Sequence, residues 1–111
     1  MKEVRETVPE YMTEFFRHER YGDIVIALYR GEIRFSKIKR MLKPISSKTL
    51  SVDLKGLQRM ELIGRNVISD RPLRTEYGLT EMGQSFYREV VEPLRNWQNK
   101  WNGSKRQEPN Q

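Results

Sequence analysis

Lysine and arginine residues are concentrated in the middle of this 111-residue chain. Residues 30–75 contain 12 Lys and Arg against 4 Asp and Glu, a local net charge of +8. The formal net charge of the whole chain is +6, so the flanking segments add no positive surplus of their own. A basic excess confined to one compact segment favours phosphate groups as ligands. The sequence therefore predicts a phosphate-binding surface in this segment.

One predicted helix in the basic segment has an apolar face and a small, basic outer face. Within Ser47–Glu61, at 100° per residue, Leu50, Leu54 and Leu57 share one side. The opposite side carries Lys48, Ser51, Val52, Lys55 and Arg59. No acidic side chain, which phosphates would repel, lies on that side. Such a helix can enter a DNA major groove, where lysine donates to guanine and valine contacts the thymine methyl group.

Patterns typical of catalysis or metal binding are not found in the sequence. The absence of cysteine excludes disulfides, thiolate metal sites and thiol redox switches. His18 is the only histidine, so a partly exposed structural role is favoured over a metal site. There is no Gly-rich phosphate loop and no Ser/His/Asp set. We therefore predict neither an enzyme nor a cofactor.

Two helices are predicted before the basic segment. The first covers about residues 8–19, because Pro9 suits the first turn of a helix, and Gly22 follows it as a break. Its apolar side consists of Val8, Met12, Phe15 and Phe16. The second, Asp23–Arg30, is apolar nearly all round, which is typical of a core helix, and Gly31 suits its C-terminal cap.

A short helix over Lys37–Leu42 is predicted before the helix that has the basic outer face. Ser36 would cap it after an extended piece at Ile33–Phe35, and Pro44 would close it. Its inward-facing residues would be Ile38, Met41 and Leu42. Ser46 is then the predicted N-cap of the helix that carries the basic face.

A hairpin and a long last helix are predicted for the rest of the chain. The strands Leu62–Ser69 and Leu73–Leu79 are joined by the turn Asp70–Pro72, with Arg65, Arg71 and Arg74 exposed. Thr80 caps a helix over about residues 81–101, which Pro93 should kink or split. The apolar stripe of this helix consists of Phe86, Val90, Leu94, Trp97 and Trp101. A protomer this small leaves that stripe uncovered, so we predict a homodimer.

This order of elements predicts one mainly α domain with a small β-hairpin wing, a winged helix-turn-helix, over residues 1–101. Its core would be residues 21–83, the dimerisation helices about 8–19 and 81–101, and residues 102–111 a flexible tail. No apolar run approaches 18 residues, and the first residues contain no hydrophobic signal region. We therefore expect no membrane span and a cytoplasmic location.

The run from Tyr29 to Gly83 resembles the HxlR-type winged helix-turn-helix transcriptional regulators, relatives of the MarR group. Four pieces stand in the order of that family: G-x-x-R-F, the I-S-x-x-x-L-x-x-x-L-x-x-L recognition helix, G-L-I-x-R, and P-x-R-x-E-Y-x-L-T-x-x-G. They fall on Gly31 with Arg34-Phe35; on Ile45-Ser46 with Leu50, Leu54 and Leu57; on Leu62-Ile63 with Arg65; and on Pro72, Arg74, Glu76-Tyr77, Leu79-Thr80 and Gly83.

The sequence departs from the family pattern at three places. Glu61 stands where the family usually has glycine before Leu-Ile. Val8-Pro9 stands where many members have Cys-Pro, so cysteine-based sensing is excluded. Arg20-Tyr21 lies near the position of a Lys-Trp pair that is common in the family.

The resemblance implies a transcriptional regulator that binds double-stranded DNA as a homodimer on an inverted repeat, with its effector unknown. Base-reading residues would be Ser47, Lys48, Ser51, Val52 and Lys55. Phosphate and wing contacts would come from Arg34, Ser36, Lys37, Lys39, Arg40, Lys43, Ser46, Arg59, Arg71 and Arg74. The dimer interface would contain Val8, Met12, Phe15, Phe16, Phe86, Val90, Leu94, Trp97 and Trp101.

Two other functions are compatible with the same fold. A nonspecific architectural DNA-binding protein would use the basic segment without reading sequence. A winged-helix protein-interaction module would not contact nucleic acid, and the charge of +8 on residues 30–75 argues against it.

Overall fold

The computed structural model describes residues 9–31 and 33–106, and this part of the chain combines α-helices with one small antiparallel sheet. The helices are α1 (Glu10–Phe16), α2 (Tyr21–Tyr29), α3 (Phe35–Met41), α4 (Ser47–Arg59), α5 (Glu81–Phe86) and α6 (Glu92–Arg106). The strands are β1 (Ile33–Arg34), β2 (Ile63–Asp70) and β3 (Leu73–Leu79). A π-helical turn, Tyr87–Val91, joins α5 to α6. The predicted mainly α fold with a β-hairpin wing is confirmed.

The hydrophobic core lies where α1, α2 and α4 meet the base of the hairpin. Its fully buried side chains come mainly from α2 and α4 and include Ile24, Val25, Leu28, Leu50, Leu54 and Leu57. Each leucine of this size contributes about 2 kcal/mol when it leaves water. The three leucines of α4 therefore help to hold this helix with its opposite face outward.

The sheet has the strand order β1-β3-β2, with both pairs antiparallel. Tyr77 of β3 lies between Ile33 and Arg65 in the register, and its ring is buried. A bulge between Val67 and Ser69 interrupts the pairing of β2 with β3 near the end of the hairpin. The hairpin is therefore attached to the core at its base, whereas its end lies in solvent.

The first two helices differ from the prediction at Gly22. Helix α2 begins at Tyr21, so Gly22 lies in its first turn and does not separate the helices. The ring of Tyr21 is buried, with its centroid 5.8 Å from that of Phe15 and 4.1 Å from that of His18. Burial of this ring outweighs the cost of about 1 kcal/mol for a glycine in a helix. Helix α2 ends at Tyr29, one residue before the predicted end, Arg30, which is its C-cap. Gly31 follows the C-cap with a φ of 143°.

Helix α3 also differs from the prediction. It begins at Phe35, so Ser36 lies inside the helix, and the N-cap is Arg34, which forms no capping bond through its side chain. Phe35 packs against the core, which extends the helix by this residue. Met41 was predicted to face inward but is half exposed, because the buried stripe follows Ile38 and Leu42, four residues apart.

Helix α4 is followed by a residue in the left-handed backbone conformation, a position at which glycine is usual. Glu61 has a φ of 63°, in the left-handed region, at a cost of about 1 kcal/mol for a residue with a side chain. Its N–H donates to the carbonyl of Gln58, and the N–H of Leu62 donates to that of Leu57. These bonds satisfy the last carbonyls of α4 and lead the chain directly into β2.

The sequence predicted a kink or a split at Pro93, and the last helix contains a π-helical turn, Tyr87–Val91, just before this residue. Proline lacks an N–H, and its ring clashes with the carbonyl of the residue four positions earlier, Glu89. The wider π-helical turn containing Glu89 relieves this clash before α6 begins. Helix α6 continues to Arg106, beyond the predicted end near Trp101, since a formed helix adds one hydrogen bond per residue. None of the helices in the described ranges is both long and apolar enough to cross a bilayer.

Candidate nucleic-acid interface

Helix α4 presents the basic face that the sequence predicted. Ser46 is its N-cap, and the Ser46 hydroxyl accepts a hydrogen bond of 3.0 Å from the N–H of Thr49. This bond and the buried leucines fix the start and the rotation of the helix. The residues that lie exposed on its outer face are Ser47, Lys48, Val52, Lys55 and Arg59. Ser51 is half-buried beside the wing, which places it nearer the sheet than the other predicted base-reading residues.

The cations of this outer face are free to meet an external anion. Among residues 9–31 and 33–106, the ion pairs within 4 Å involve Arg17, His18 and Arg20 on the cationic side. Lys48, Lys55 and Arg59 therefore have no acidic partner in the described part of the chain. Free lysine and arginine side chains on one helix face are the arrangement needed for charge-assisted bonds to phosphates and base edges.

The basic residues of α3 and of the turn after it lie next to the start of α4. Lys39, Arg40, Lys43, Pro44 and Ile45 line a shallow cavity of about 280 Å³ at this turn. Arg34, Ser36, Lys37, Arg40, Lys43 and Ser46 are exposed, and Lys39 is half-exposed. In a helix-turn-helix the helix before the recognition helix crosses the DNA backbone, so these side chains suit phosphates better than bases.

The wing places its arginines beside α4. Arg71 lies in the turn between β2 and β3, and Arg65 and Arg74 lie on the strands; all three are exposed. Arg34, Arg65 and Arg74 line a cleft of about 380 Å³ that the wing forms with Ser36 of α3 and Ser51 of α4. The structure thus brings Arg34, Ser36, Ser51 and Arg74 of the predicted residues to one cleft, whereas Arg71 does not line it.

Sequence reasoning missed the contacts that anchor the inner side of α4. Nε of Arg20 donates to Oδ2 of Asp53 at 2.7 Å, and only 6% of Asp53 is exposed. This hydrogen bond raises the pKa of the Arg20 guanidinium, so Arg20 keeps its positive charge. At 100° per residue, Asp53 falls beside the leucine stripe of α4. This position was the sign in the sequence that the acid is buried.

Two tyrosines also anchor α4. The hydroxyl of Tyr21 lies so close to Gly56 that a Cβ at that position would overlap it. The Tyr11 hydroxyl donates to the carbonyl of Met60 at 2.8 Å. Burial, with a smaller effect of the nearby Glu61 carboxylate, raises the pKa of Tyr11 to about 12, so this donor keeps its proton. Together these contacts hold α4 against the start of the chain.

The residues predicted for a dimer interface fall into three groups. Met12, Phe16, Leu94, Trp97 and Trp101 are exposed by more than a third. Phe86 and Val90 are half-buried, and Phe86 packs edge-on against Phe15 with a centroid distance of 4.8 Å. Phe15 is only 1% exposed and belongs to the core of the protomer, because the aromatic cluster of α1 and α5 surrounds it. Val8 lies outside the described residues.

His18 occupies a structural position at the end of α1. Its ring stacks on Tyr21, and its Nε2 lies 3.2 Å from Oε2 of Glu14. Hydrogen bonds from Arg17 and His18 lower the pKa of Glu14. The ring thus helps to hold Tyr21 against α4, in agreement with the predicted structural role.

Comparisons with known proteins agree with this architecture. Residues 19–106 match the HxlR-like helix-turn-helix family. The uncharacterized HTH-type transcriptional regulator YvaP of Bacillus subtilis (strain 168) is 35% identical over 78 residues, which are 70% of this chain and 71% of YvaP. The reduced form of the transcriptional regulator YodB from B. subtilis is 29% identical, with a TM-score of 0.67 over 82% of this chain and 90% of YodB.

A MarR-family transcriptional regulator from Enterococcus faecalis V583 has a TM-score of 0.78 over 96% of this chain and all of that chain. Its sequence identity of 20% makes this a likeness of fold alone. The family match covers α2 through α6, including α4, the wing and the last helix. This chain therefore belongs to the HxlR-like helix-turn-helix family.

Proposed function

We propose that this chain, a helix-turn-helix transcriptional regulator by family, binds a specific double-stranded DNA site as a homodimer. The observation that carries the proposal is the outer face of α4, where Lys48, Lys55 and Arg59 have no acidic partner among the described residues. The basic α3 and the arginines of the wing flank this face. Cations without an acidic partner among the described residues, on three adjacent elements, favour a polyanion such as DNA as the ligand.

Each element of this surface has a distinct task in the proposed complex. The first turns of α4 enter the major groove, where Lys48 donates to guanine O6 and N7 and Val52, which is 57% exposed, contacts a thymine methyl group. The free N–H groups at the start of α4 favour a nearby phosphate. Lys37, Lys39, Arg40 and Lys43 bind phosphates on one side of the groove, and Arg71 and Arg74 bind the backbone or a narrow minor groove on the other.

Replacing Lys48 with alanine should weaken binding to the specific site by about 1–3 kcal/mol, because a base-edge contact is lost. Lys39→Ala should instead weaken specific and random duplexes alike and flatten the dependence of affinity on salt, since a phosphate contact carries no sequence information. Fluorescence anisotropy with both duplexes over a range of salt concentrations measures these effects. The matched control is Lys100→Ala, at an exposed lysine on α6. It should change neither the affinity for either duplex nor the dependence of affinity on salt.

The duplex for these measurements comes from in vitro selection out of a random pool. An inverted repeat with half-sites about one helical turn apart is the expected product. A best site bound less than tenfold more tightly than random duplex would identify a nonspecific architectural protein. No retention on a DNA column at moderate salt would identify a protein-interaction module. Unchanged specific binding by Lys48→Ala would show that the reading face is placed wrongly.

The proposed dimer uses the exposed apolar residues of the first and last helices. Trp97 and Trp101 are each more than half exposed in the protomer, and buried tryptophans at interfaces contribute about 2 kcal/mol or more each. The double variant Trp97→Ser/Trp101→Ser should raise the dimer dissociation constant by about a hundredfold or more in analytical ultracentrifugation. Ile68→Ser, which changes a comparably exposed apolar residue on the wing, should remain dimeric. A dimer of unchanged stability in the double variant would place the interface elsewhere.

A further inference from the structure

We propose that a cavity between α1 and the last turn of α4 binds an α-amino acid that has a large apolar side chain. The cavity has a volume of about 600 Å³ and is lined by Glu10, Tyr11, Thr13 and Glu14 from α1 and by Arg59 and Met60 from the end of α4. It shares no lining residue with the cleft beside the wing. Sites for small molecules commonly measure about 300–1,000 Å³. Occupancy of this cavity requires no DNA, so it can be tested without a duplex.

Opposite charges line the cavity without neutralising each other. In the described part of the chain, neither the carboxylate of Glu10 nor the guanidinium of Arg59 forms an ion pair within 4 Å, and both residues are exposed. Glu14, the other acid of the cavity, already binds Arg17 at 3.0 Å and His18 at 3.2 Å. The cavity therefore offers one free carboxylate and one free guanidinium, which a ligand with both an ammonium and a carboxylate group can join.

The guanidinium of Arg59 lies on the side of α4 that faces α2. Its Nη2 is 3.8 Å from the position that a Cβ of Gly56 would occupy, beside the hydroxyl of Tyr21. Burial raises the pKa of Tyr21, and the positive charge of Arg59 partly opposes this effect, which agrees with their proximity. Along α4, Arg59 is about 17 Å from Lys48. We therefore reassign Arg59, predicted from the sequence to contact phosphate, to the cavity, and Lys48 and Lys55 remain for DNA on the outer face.

The walls of the cavity supply apolar surface for a side chain. Tyr11 and Met60 are both half-buried and line the cavity from the two helices. The hydroxyl of Tyr11 donates to the carbonyl of Met60 at 2.8 Å, which holds the two residues side by side. Because the hydroxyl is used in this bond, the ring of Tyr11 is left as an apolar surface. An aromatic ring and a flexible thioether chain contact both aliphatic and aromatic groups favourably.

The combination of these groups selects one class of ligand. The ammonium group binds the carboxylate of Glu10, the carboxylate accepts two parallel hydrogen bonds from Arg59, and the apolar side chain lies on Tyr11 and Met60. A purely cationic ligand would leave Arg59 unpaired, and a purely anionic ligand would leave Glu10 unpaired. A dipolar ion without a side chain would leave the apolar walls in water. An α-amino acid such as phenylalanine has all three parts.

Titration of the isotope-labelled chain with L-phenylalanine, followed by NMR spectroscopy, tests the ligand class. The amide signals of Tyr11 and Met60 and of their neighbours should shift saturably, with a dissociation constant on the order of 1 mM. Three probes each lack one recognised group: phenethylamine has no carboxylate, phenylpropionate has no ammonium group, and glycine has no apolar side chain. Each should bind at least about tenfold more weakly. Binding of any of the three as tight as that of L-phenylalanine, or saturable shifts confined to another part of the chain, would overturn the proposal.

Two variants assign the charges. Arg59→Gln should bind L-phenylalanine about tenfold more weakly and no more tightly than phenethylamine, because these probes differ only in the carboxylate that Arg59 recognises. Glu10→Gln should likewise bind L-phenylalanine no more tightly than phenylpropionate. Arg88→Gln and Glu92→Gln are matched controls, since both residues are exposed and neither lines the cavity, and they should bind like the unaltered chain.

The outcomes separate this site from the proposed function. Equal weakening of all four variants, or of none, would overturn the cavity proposal. A chain that selects a specific duplex but shows no saturable shift with L-phenylalanine would overturn the cavity proposal alone. A chain that binds L-phenylalanine in this cavity but selects no duplex would overturn the proposed function alone.

Discussion

Replacing Gly83 with alanine is expected to destabilise the fold by about 3 kcal/mol, although the change adds only one methyl group. Gly83 lies in the first turn of α5, and its N–H donates to the hydroxyl of the N-cap Thr80 at 2.9 Å. A Cβ at this position would overlap the carbonyl oxygen of Leu62, a backbone atom that already accepts a hydrogen bond of 3.0 Å from the N–H of Thr80. Neither side can yield without breaking this bond.

The effect should spread beyond α5, because Thr80 holds three elements together. Its hydroxyl accepts from Gly83 and donates to the carbonyl of Glu61 at 2.7 Å, where α4 ends. Displacing α5 therefore strains the junction between the recognition helix and the wing. Far-UV circular dichroism during urea unfolding, at one fixed protein concentration, measures the loss, since a dimer would make stability depend on concentration.

Gly22→Ala provides the matched control for this prediction. Gly22 also lies in the first turn of a helix, α2, but a Cβ there would meet no atom within 4 Å. Alanine is favoured over glycine in a helix by about 1 kcal/mol, so Gly22→Ala should stabilise the protein slightly. Similar unfolding midpoints for the two variants would show that α5 does not pack against the carbonyl of Leu62.

The parts of the fold that the sequence predicted correctly are those controlled by local patterns. Leucines three and four residues apart define α4, Ser46 and Thr80 cap their helices through their own hydroxyls, and Pro93 marks the interruption of the last helix. Each of these effects acts within one or two helical turns, so it can be recognised without knowing what lies across the core.

The features that the sequence did not predict depend on partners distant along the chain. Gly22 looks like a helix break until Tyr21 is found edge-on to Phe15 and with its hydroxyl against Gly56 of α4. Phe15 looks like part of an exposed stripe until Phe86, from the other end of the domain, is found against it. Periodicity indicates that a side chain is apolar, but not which surface covers it.

In the candidate site, too, the features set by local patterns were predicted and those set by distant partners were not. The exposure of Lys48, Lys55 and Arg59 followed from their position opposite the leucines of α4. The cleft beside Ser51 did not, because it requires the register of β3 against β1 and β2, which brings Arg34 and Arg65 to one place. Cross-strand pairing therefore determines which predicted base-reading residue lies next to the wing.

The ion pair between Arg20 and Asp53 should respond unequally to loss of its two members. Arg20→Met is expected to destabilise the protein by about 3 kcal/mol, because it leaves the carboxylate of Asp53, only 6% exposed, without its cation. Asp53→Asn keeps an oxygen acceptor at the same place. The freed guanidinium, about a third exposed, still reaches Glu19 at 3.0 Å and water, so the cost should be about 1 kcal/mol.

The same urea measurements test this inequality. Arg17→Met is the control, since Arg17 is 61% exposed and pairs with Glu14 at the surface, and it should show no measurable loss. Because Asp53 belongs to α4, loss of Arg20 should also weaken binding to the selected duplex under conditions in which the variant remains folded, whereas Arg17→Met should not. Equal destabilisation by Arg20→Met and Asp53→Asn would mean that the carboxylate is well hydrated, and that packing of the leucines alone orients the recognition helix.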